Sequence, residues 1–427
     1  MVMKKSNKNK NIAGGRVHEY GNATRGETES WKKQKLVQIH QAFNSDPVDI
    51  ETLRKAAVSD GGLLTNELRR KVWPKLLNIN VYDLPHRPGR DVRENHKDYN
   101  QILLDVRRSM KRFPKGMPGS QRAVLQEQLT DIMLEVLRRN PQLHYYQGYH
   151  DVAVSLLLLV GERTAIAMLH TLSNHHLRDF MDPTMDRTKH ILNYLMPILE
   201  QVDIELHDFL IRSEVGTIFA LSWLITWYGH VLSEFRHTLR LYDFFLASHP
   251  LMPIYLAATI VLHREKEVRR TECDMAMVHL LLSRIPQDLP YELLIGQAQA
   301  LFDRYPPPLL AKRAALQSRT SLSISTFQSF QRSTLHQRPD SVLRRITREG
   351  GCSASRRGER CPTSAFRHRG GPVGDQVHEW AVPGFITLQK EAVREPLGGL
   401  ASTVSGWLCL WEDFSINMFL LRIMSLL

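Results

Sequence analysis

Apolar residues recur every three to four positions through most of the first three quarters of this 427-residue chain. Over 99–113 they fall at Tyr99, Ile102, Leu103, Val106, Met110 and Phe113. That i, i+3, i+4, i+7 spacing lines one stripe of a helix. At about 100° per residue, Arg108 points away from the stripe, and Asp105 lies one turn before it on the same side. Pro114 and Gly116 stop the helix. A second helix is predicted over 121–139, with Leu125, Leu129, Ile132, Met133, Val136 and Leu137 inward and Asn140-Pro141 at its end. An earlier one follows Thr65, a candidate N-cap, and carries Leu68, Val72 and Leu76 on one face with Trp73 beside them. Residues 152–160 are apolar nearly throughout. Residues 215–228 are too, and at fourteen residues they read as one buried helix, too short for a bilayer. Period-two alternation is scarce, so the expected fold class is all-α.

The pattern divides the chain into three regions. Residues 1–31 are polar and Asn/Lys/Gly-rich, and are expected to form a disordered arm. Residues 32–310 carry the helical patterning. In 311–427 Ser, Arg, Gly and Pro rise and the periodicity fades, which predicts a low-complexity basic tail. Most of the net charge of +12 sits there: 311–370 hold 13 Lys and Arg against 3 Asp and Glu. A fold that grips nucleic acid carries its charge on a folded face, so no specific nucleic acid is expected. Loose RNA binding by the tail would fall steeply with salt. Near the end, apolar 400–411 and 414–421 are separated by Glu412 and Asp413. A charge at the bilayer centre costs about 2.5–3.5 kcal/mol, which makes this a poor membrane span. The N-terminus has no apolar run after its lysines, so no secretory signal is expected. Cys273, Cys352, Cys361 and Cys409 show no C-x-x-C spacing, which fits a reducing compartment without a zinc ribbon or disulfide framework.

Candidate chemistry lies at two places about forty residues apart. Ile102, Asp105 and Arg108 form an I-x-x-D-x-x-R element, and Tyr145, Gln147 and Gly148 form Y-x-Q-G. One presents a guanidinium and the other an amide. Those groups speed phosphoryl transfer on a GTPase: the cation offsets charge on the γ-phosphate oxygens and the amide aims the attacking water. Taken alone, Arg108 belongs to a basic cluster with Arg107, Lys111 and Arg112 that reads as a solvated helix face. Arg107 is the neighbouring competitor for the same role. Gly148 permits a sharp turn, and Asp151 could cap or charge the helix that follows. His144, His150, His175, His176 and His190, with Asp179, Asp182 and Asp186, lack metal-ligand spacing. No phosphate-binding glycine loop and no nucleophilic triad pattern appears. A protein that lends residues in trans needs no nucleotide pocket of its own.

Taken in order, these residues resemble the TBC-domain family of Rab GTPase-activating proteins. Leu68 to Trp73 is similar to its opening L-R-x-x-V-W motif, Asp105 to Arg108 with Ser109 to its arginine motif, and Tyr145 to Gly148 with Asp151 to its glutamine motif. The resemblance covers about 55–310. It implies a multi-helix domain of two helical subdomains whose groove receives a GTP-loaded Rab. Arg108 would be the arginine finger and Gln147 the glutamine finger, supported by Asp105, Tyr145, Gly148 and Asp151. GTP and magnesium would be held by the Rab, with no cofactor and no metal bound by this chain. Residues 140–151 and 175–186 are similar to an endoplasmic-reticulum member of the family. That implies an early-secretory Rab and a role in ER-to-Golgi traffic from the cytosol or the cytosolic face of the reticulum. It further implies a reticulon partner, a viral replication protein in infected cells, and a C-terminal membrane anchor. After about residue 346 the sequence departs from the family's tail. The alternative is a catalytically silent scaffold that binds Rabs or membrane proteins.

Overall fold

Helices account for all the regular structure among the described residues, which are 25–109, 113, 116–313 and 321–346 of a computed structural model. The first 24 residues of the expected arm, the 110–112, 114–115 and 314–320 stretches, and everything after 346 lie outside them. The apolar segments at 400–421 are therefore outside as well. All described residues fall within one compact unit. Among them no helix is long and apolar enough to cross a membrane.

The N-terminal layer consists of α1 (Arg25–Asn44), α2 (Ile50–Val58) and α3 (Asn66–Leu76). The helix begins at Arg25, inside the arm expected to reach residue 31. Further along, Ile39, Ala42 and Phe43 bury against the body. Lys35 Nζ ties α1 to the end of α2, donating to Ser59 O, Ser59 Oγ and Asp60 O at 3.2, 2.9 and 2.6 Å. As the sequence suggests, Thr65 Oγ1 caps α3 by accepting Leu68 N, and Leu68, Val72, Trp73 and Leu76 are buried.

Next come α4 (Tyr99–Arg108), α5 (Gly119–Arg139), α6 (Tyr149–Val160) and α7 (Glu162–Asn174). The stripe of α4 buries Ile102 and Val106 and packs on α5. A short 3-10 turn, Arg178–Met181, leads to α8 (Asp186–Leu192), α9 (Leu195–Val202) and α10 (Ile204–Arg212).

Residues 215–228 do not form the single helix that their hydrophobicity predicts. They give a 3-10 turn at Ile218–Ala220, a short α11 (Leu221–Ile225), and a stop. Tyr228 N donates to Trp223 O at 2.7 Å and Trp227 N to Leu224 O at 3.2 Å, with Trp227 at φ 47. That pair of bonds is a Schellman ending. Trp223, Trp227 and Tyr228 are all buried, so the ring packing supports the left-handed residues that a glycine would normally supply.

The C-terminal half adds α12 (Phe235–Ala247), α13 (Met252–His263), α14 (Glu265–Arg270), α15 (Met275–Ser283), α16 (Tyr291–Arg304), α17 (Pro307–Arg313) and α18 (Leu322–Ser333). Residues 252–261 of α13 are buried on every face, with α16 and α9 around them.

Packed structure continues past residue 310. Helix α18 buries Phe327 and Phe330, and His175 stacks on Phe330 with ring centres 4.2 Å apart. Thr334 Oγ1 accepts from Arg54 at 2.8 Å, Gln337 Nε2 donates to Lys75 O at 2.7 Å, and Asp340 pairs with Lys75 at 2.8 Å. Residues 321–346 thus form a strap running back over α2 and α3. Its Ser and Arg content and its faded periodicity made it look like low-complexity tail. Two phenylalanines and a handful of polar contacts anchor it instead.

Candidate functional site

Helix α4 ends at Arg108, whose side chain is 51% exposed and points outward. One turn earlier Asp105 is buried, with 1% of its side chain exposed. A buried carboxylate needs donors. Asp105 finds Tyr145 Oη at 2.7 Å and Gln101 Nε2 at 3.1 Å, while Arg108 Nη1 stands 3.9 Å away. Its short bond is therefore to the Y-x-Q-G element, and Arg108 is its looser neighbour. The i, i+3 spacing suggested the reverse emphasis; burial turns the carboxylate inward, where the phenol is. Arg107, the neighbouring competitor, is also exposed.

The second element lies in the turn before α6, held at four successive points. His144 N donates to Met181 O at 2.9 Å. Tyr145 holds Asp105. Tyr146 Oη donates to Ile225 O at 2.8 Å and its ring meets Phe180 edge-on. Gly148 sits at φ 108, and a Cβ there would stand 2.9 Å from Thr226 Cγ2, so both conformation and space demand glycine. Gln147 lies between the last two anchors, partly exposed. Burial, then Asp105, pushes the Tyr145 phenol well above its usual pKa, and burial does the same for Tyr146. Both hydroxyls therefore stay protonated and remain donors.

Asp151 falls in the first turn of α6 but does not cap it. Its Oδ2 lies 3.2 Å from His230 Nδ1 and 3.7 Å from His150 Nε2. The Schellman turn brings His230 there, and Gly229 makes the approach close: a Cβ would meet Thr226 O at 2.9 Å and Asp151 O at 3.5 Å.

All six residues singled out by sequence thus gather around α4, the 144–148 turn and the start of α6. Asp105 joins the two motifs. Ile225, Thr226, His230 and the 178–181 turn also support the site, and sequence reasoning passed over them. They lie tens of residues from Gln147, and the only local hint was a glycine following two aromatics at Trp227-Tyr228-Gly229. Among the described residues no group of three His, Cys, Asp or Glu is arranged to hold a metal ion.

Comparison with known proteins bears on this geometry. Residues 66–268 match the Rab-GTPase-TBC domain family. Human TBC1 domain family member 20 is 62% identical over 328 residues, 77% of this chain and 81% of that protein. The GTPase-activating protein gyp10 of Schizosaccharomyces pombe is 33% identical over 262 residues, 60% and 70% of the two chains. Among solved structures, the Ypt/Rab-GAP domain of Gyp1p superposes with a TM-score of 0.53 at 15% identity, over 64% of this chain and 99% of that one.

Proposed function

The chain belongs to the Rab-GTPase-TBC domain family, and from that premise we propose that it accelerates GTP hydrolysis on a Rab by lending Arg108 and Gln147. The supporting observation is the buried Asp105 carboxylate, 2.7 Å from Tyr145 Oη and 3.9 Å from Arg108, which makes one surface of two distant motifs. The Rab supplies the nucleotide and its magnesium. Exposed Leu104, one turn before Arg108 on α4, offers apolar contact beside it. Arg108 reaches outward and offsets charge on the γ-phosphate oxygens. Gln147 holds a water in line for attack, and four anchors on its loop keep it from wandering. Paired donors of this kind raise hydrolysis by about 10³–10⁵. Early-secretory Rabs are the partners to test first, on the strength of the likeness in residues 140–151 and 175–186. Work at the cytosolic face of the endoplasmic reticulum, with a reticulon, is a further proposal on the same footing.

Phosphate release in single turnovers, across a panel of GTP-loaded Rab proteins, tests the assignment. Arg108→Ala and Gln147→Ala are each expected to lose most of the stimulation while melting normally. Arg108→Lys is expected to fail as well, since an ammonium lacks the planar fork. Wild-type rates in Arg108→Ala would refute the role, and tight Rab binding without stimulation by the unaltered chain would mark a scaffold.

A further inference from the structure

The loop that carries Gln147 leans on the turn Arg178–Met181, and that turn is held by residues from far along the chain. Asp179 is 2% exposed. Its Oδ2 accepts from Ser321 Oγ at 2.7 Å and from Ser323 N at 3.0 Å, and its Oδ1 accepts from Leu322 N at 2.9 Å. Leu322 and Ser323 open α18, and their N–H groups have no partner within that helix. Ser321 caps the same helix by accepting Ile324 N at 3.1 Å. A carboxylate from elsewhere in the chain thus completes the start of a 12-residue helix and suits its positive end.

The two residues after Asp179 are the ones that touch the Gln147 loop. The Phe180 ring meets the Tyr146 ring at 6.2 Å between centres and 68° between planes. Met181 O accepts His144 N at 2.9 Å. Asp179 therefore fixes one side of the turn while its neighbours brace the loop on the other. On α8, Arg187 Nη1 stands 3.8 Å from Asp179 Oδ1.

We propose that Asp179 is a positioning residue for Gln147, and that the 321–346 strap, outside the 66–268 family match, works as part of the catalytic apparatus through it. The inference rests on Gln147 acting as proposed above. A misplacement near 1 Å of a reacting group costs up to about 100-fold in rate. Buttressing of this kind acts on the saturated rate rather than on how tightly the Rab is held.

The full chain is tested in single turnovers with the GTP-loaded Rab that the unaltered protein stimulates most. Asp179→Asn keeps the side chain's size but sets an amide N–H against the donors of α18. It is expected to lower the saturated rate by about 10- to 100-fold, with the half-saturating concentration of chain moved less than about twofold. The deciding arm is a cycle. In a Gln147→Ala background, Asp179→Asn should cost less than about twofold, because no amide remains to be misplaced; in an Arg108→Ala background it should cost its full factor. Equal losses with and without Gln147 overturn the proposal, as does an unchanged saturated rate. Should Asp179→Asn fail to fold, Ser321→Ala, which leaves both backbone donors, carries the same cycle, and the same results support or overturn it. Stimulation that is absent from the unaltered chain, or that survives Gln147→Ala, defeats the glutamine assignment itself. Normal dependence on Gln147 with no effect at Asp179 defeats only the strap.

Discussion

Tyr145 acts through a proton it does not give up. Burial and the facing Asp105 hold the phenol well above its ordinary pKa, so it donates to the carboxylate at every physiological pH. Tyr145→Phe keeps the ring and removes the donor, leaving Asp105 with Gln101 and the distant Arg108. A buried charged acceptor deprived of its best partner costs about 1–3 kcal/mol. The variant is expected to melt earlier by that amount and, if Arg108 and Gln147 act as proposed, to stimulate Rab hydrolysis about tenfold less. Unchanged melting together with unchanged phosphate release would show that the bond is idle. At this scale the two candidate donors stood out in the sequence, and the structure exposes both side chains at least in part. Arg108 and Gln147 stand out because a guanidinium and an amide at that spacing have a definite chemistry. Asp105 was legible only as a partner of its helix neighbour. Its bond to a phenol forty residues away depends on which way the carboxylate faces, and burial decides that.

Helices α3 and α12 are joined by one carboxylate. Asp243, fully buried, accepts Trp73 Nε1 at 2.7 Å, Arg69 Nη2 at 2.9 Å and Leu63 N at 3.0 Å. Gly62, at φ 53, passes so close that a Cβ there would lie 2.4 Å from Asp243 Oδ2. Asp243→Ala leaves the Arg69 guanidinium without its counter-charge, holding only Asn66 Oδ1, and leaves two N–H groups unpaired. Breaking such a pair costs about 3–5 kcal/mol, to be read from the denaturation midpoint; a shift under a third of that would mean water takes over. The apolar stripe of α3 was plain from its spacing, and so was its Thr65 cap. The polar purpose of Arg69 and Trp73, one turn apart, was hidden because their partner lies some 170 residues on. The break after α11 was hidden for a related reason: hydrophobicity predicts burial but does not register a left-handed pair of aromatics. The strap was missed because its anchors are few and its composition polar.

At the scale of the whole described body, acid acts on the interior through two buried imidazoles. His176 is buried among Trp227, Phe327 and Phe330. Burial, with His175 adding to it, lowers its pKa to about 3, and burial lowers His249 to about 4. An unfolded histidine titrates near 6.5. Between the two values the unfolded chain binds a proton that the folded chain refuses, so stability falls as pH drops below 6.5 and goes on falling toward 3. For His176 alone the loss from pH 7 to pH 5 is about 2 kcal/mol. His176→Leu should lose correspondingly less over that interval in denaturant titrations, and an unaltered acid loss would exonerate the ring. Both helix ends of the body share in this interior, and that has a practical side. A recombinant fragment trimmed to the recognisable 66–268 core would lack the lid over these imidazoles and the lysine clasp of the first helix. A fragment for crystals or calorimetry should keep both the first helix and the 321–346 strap.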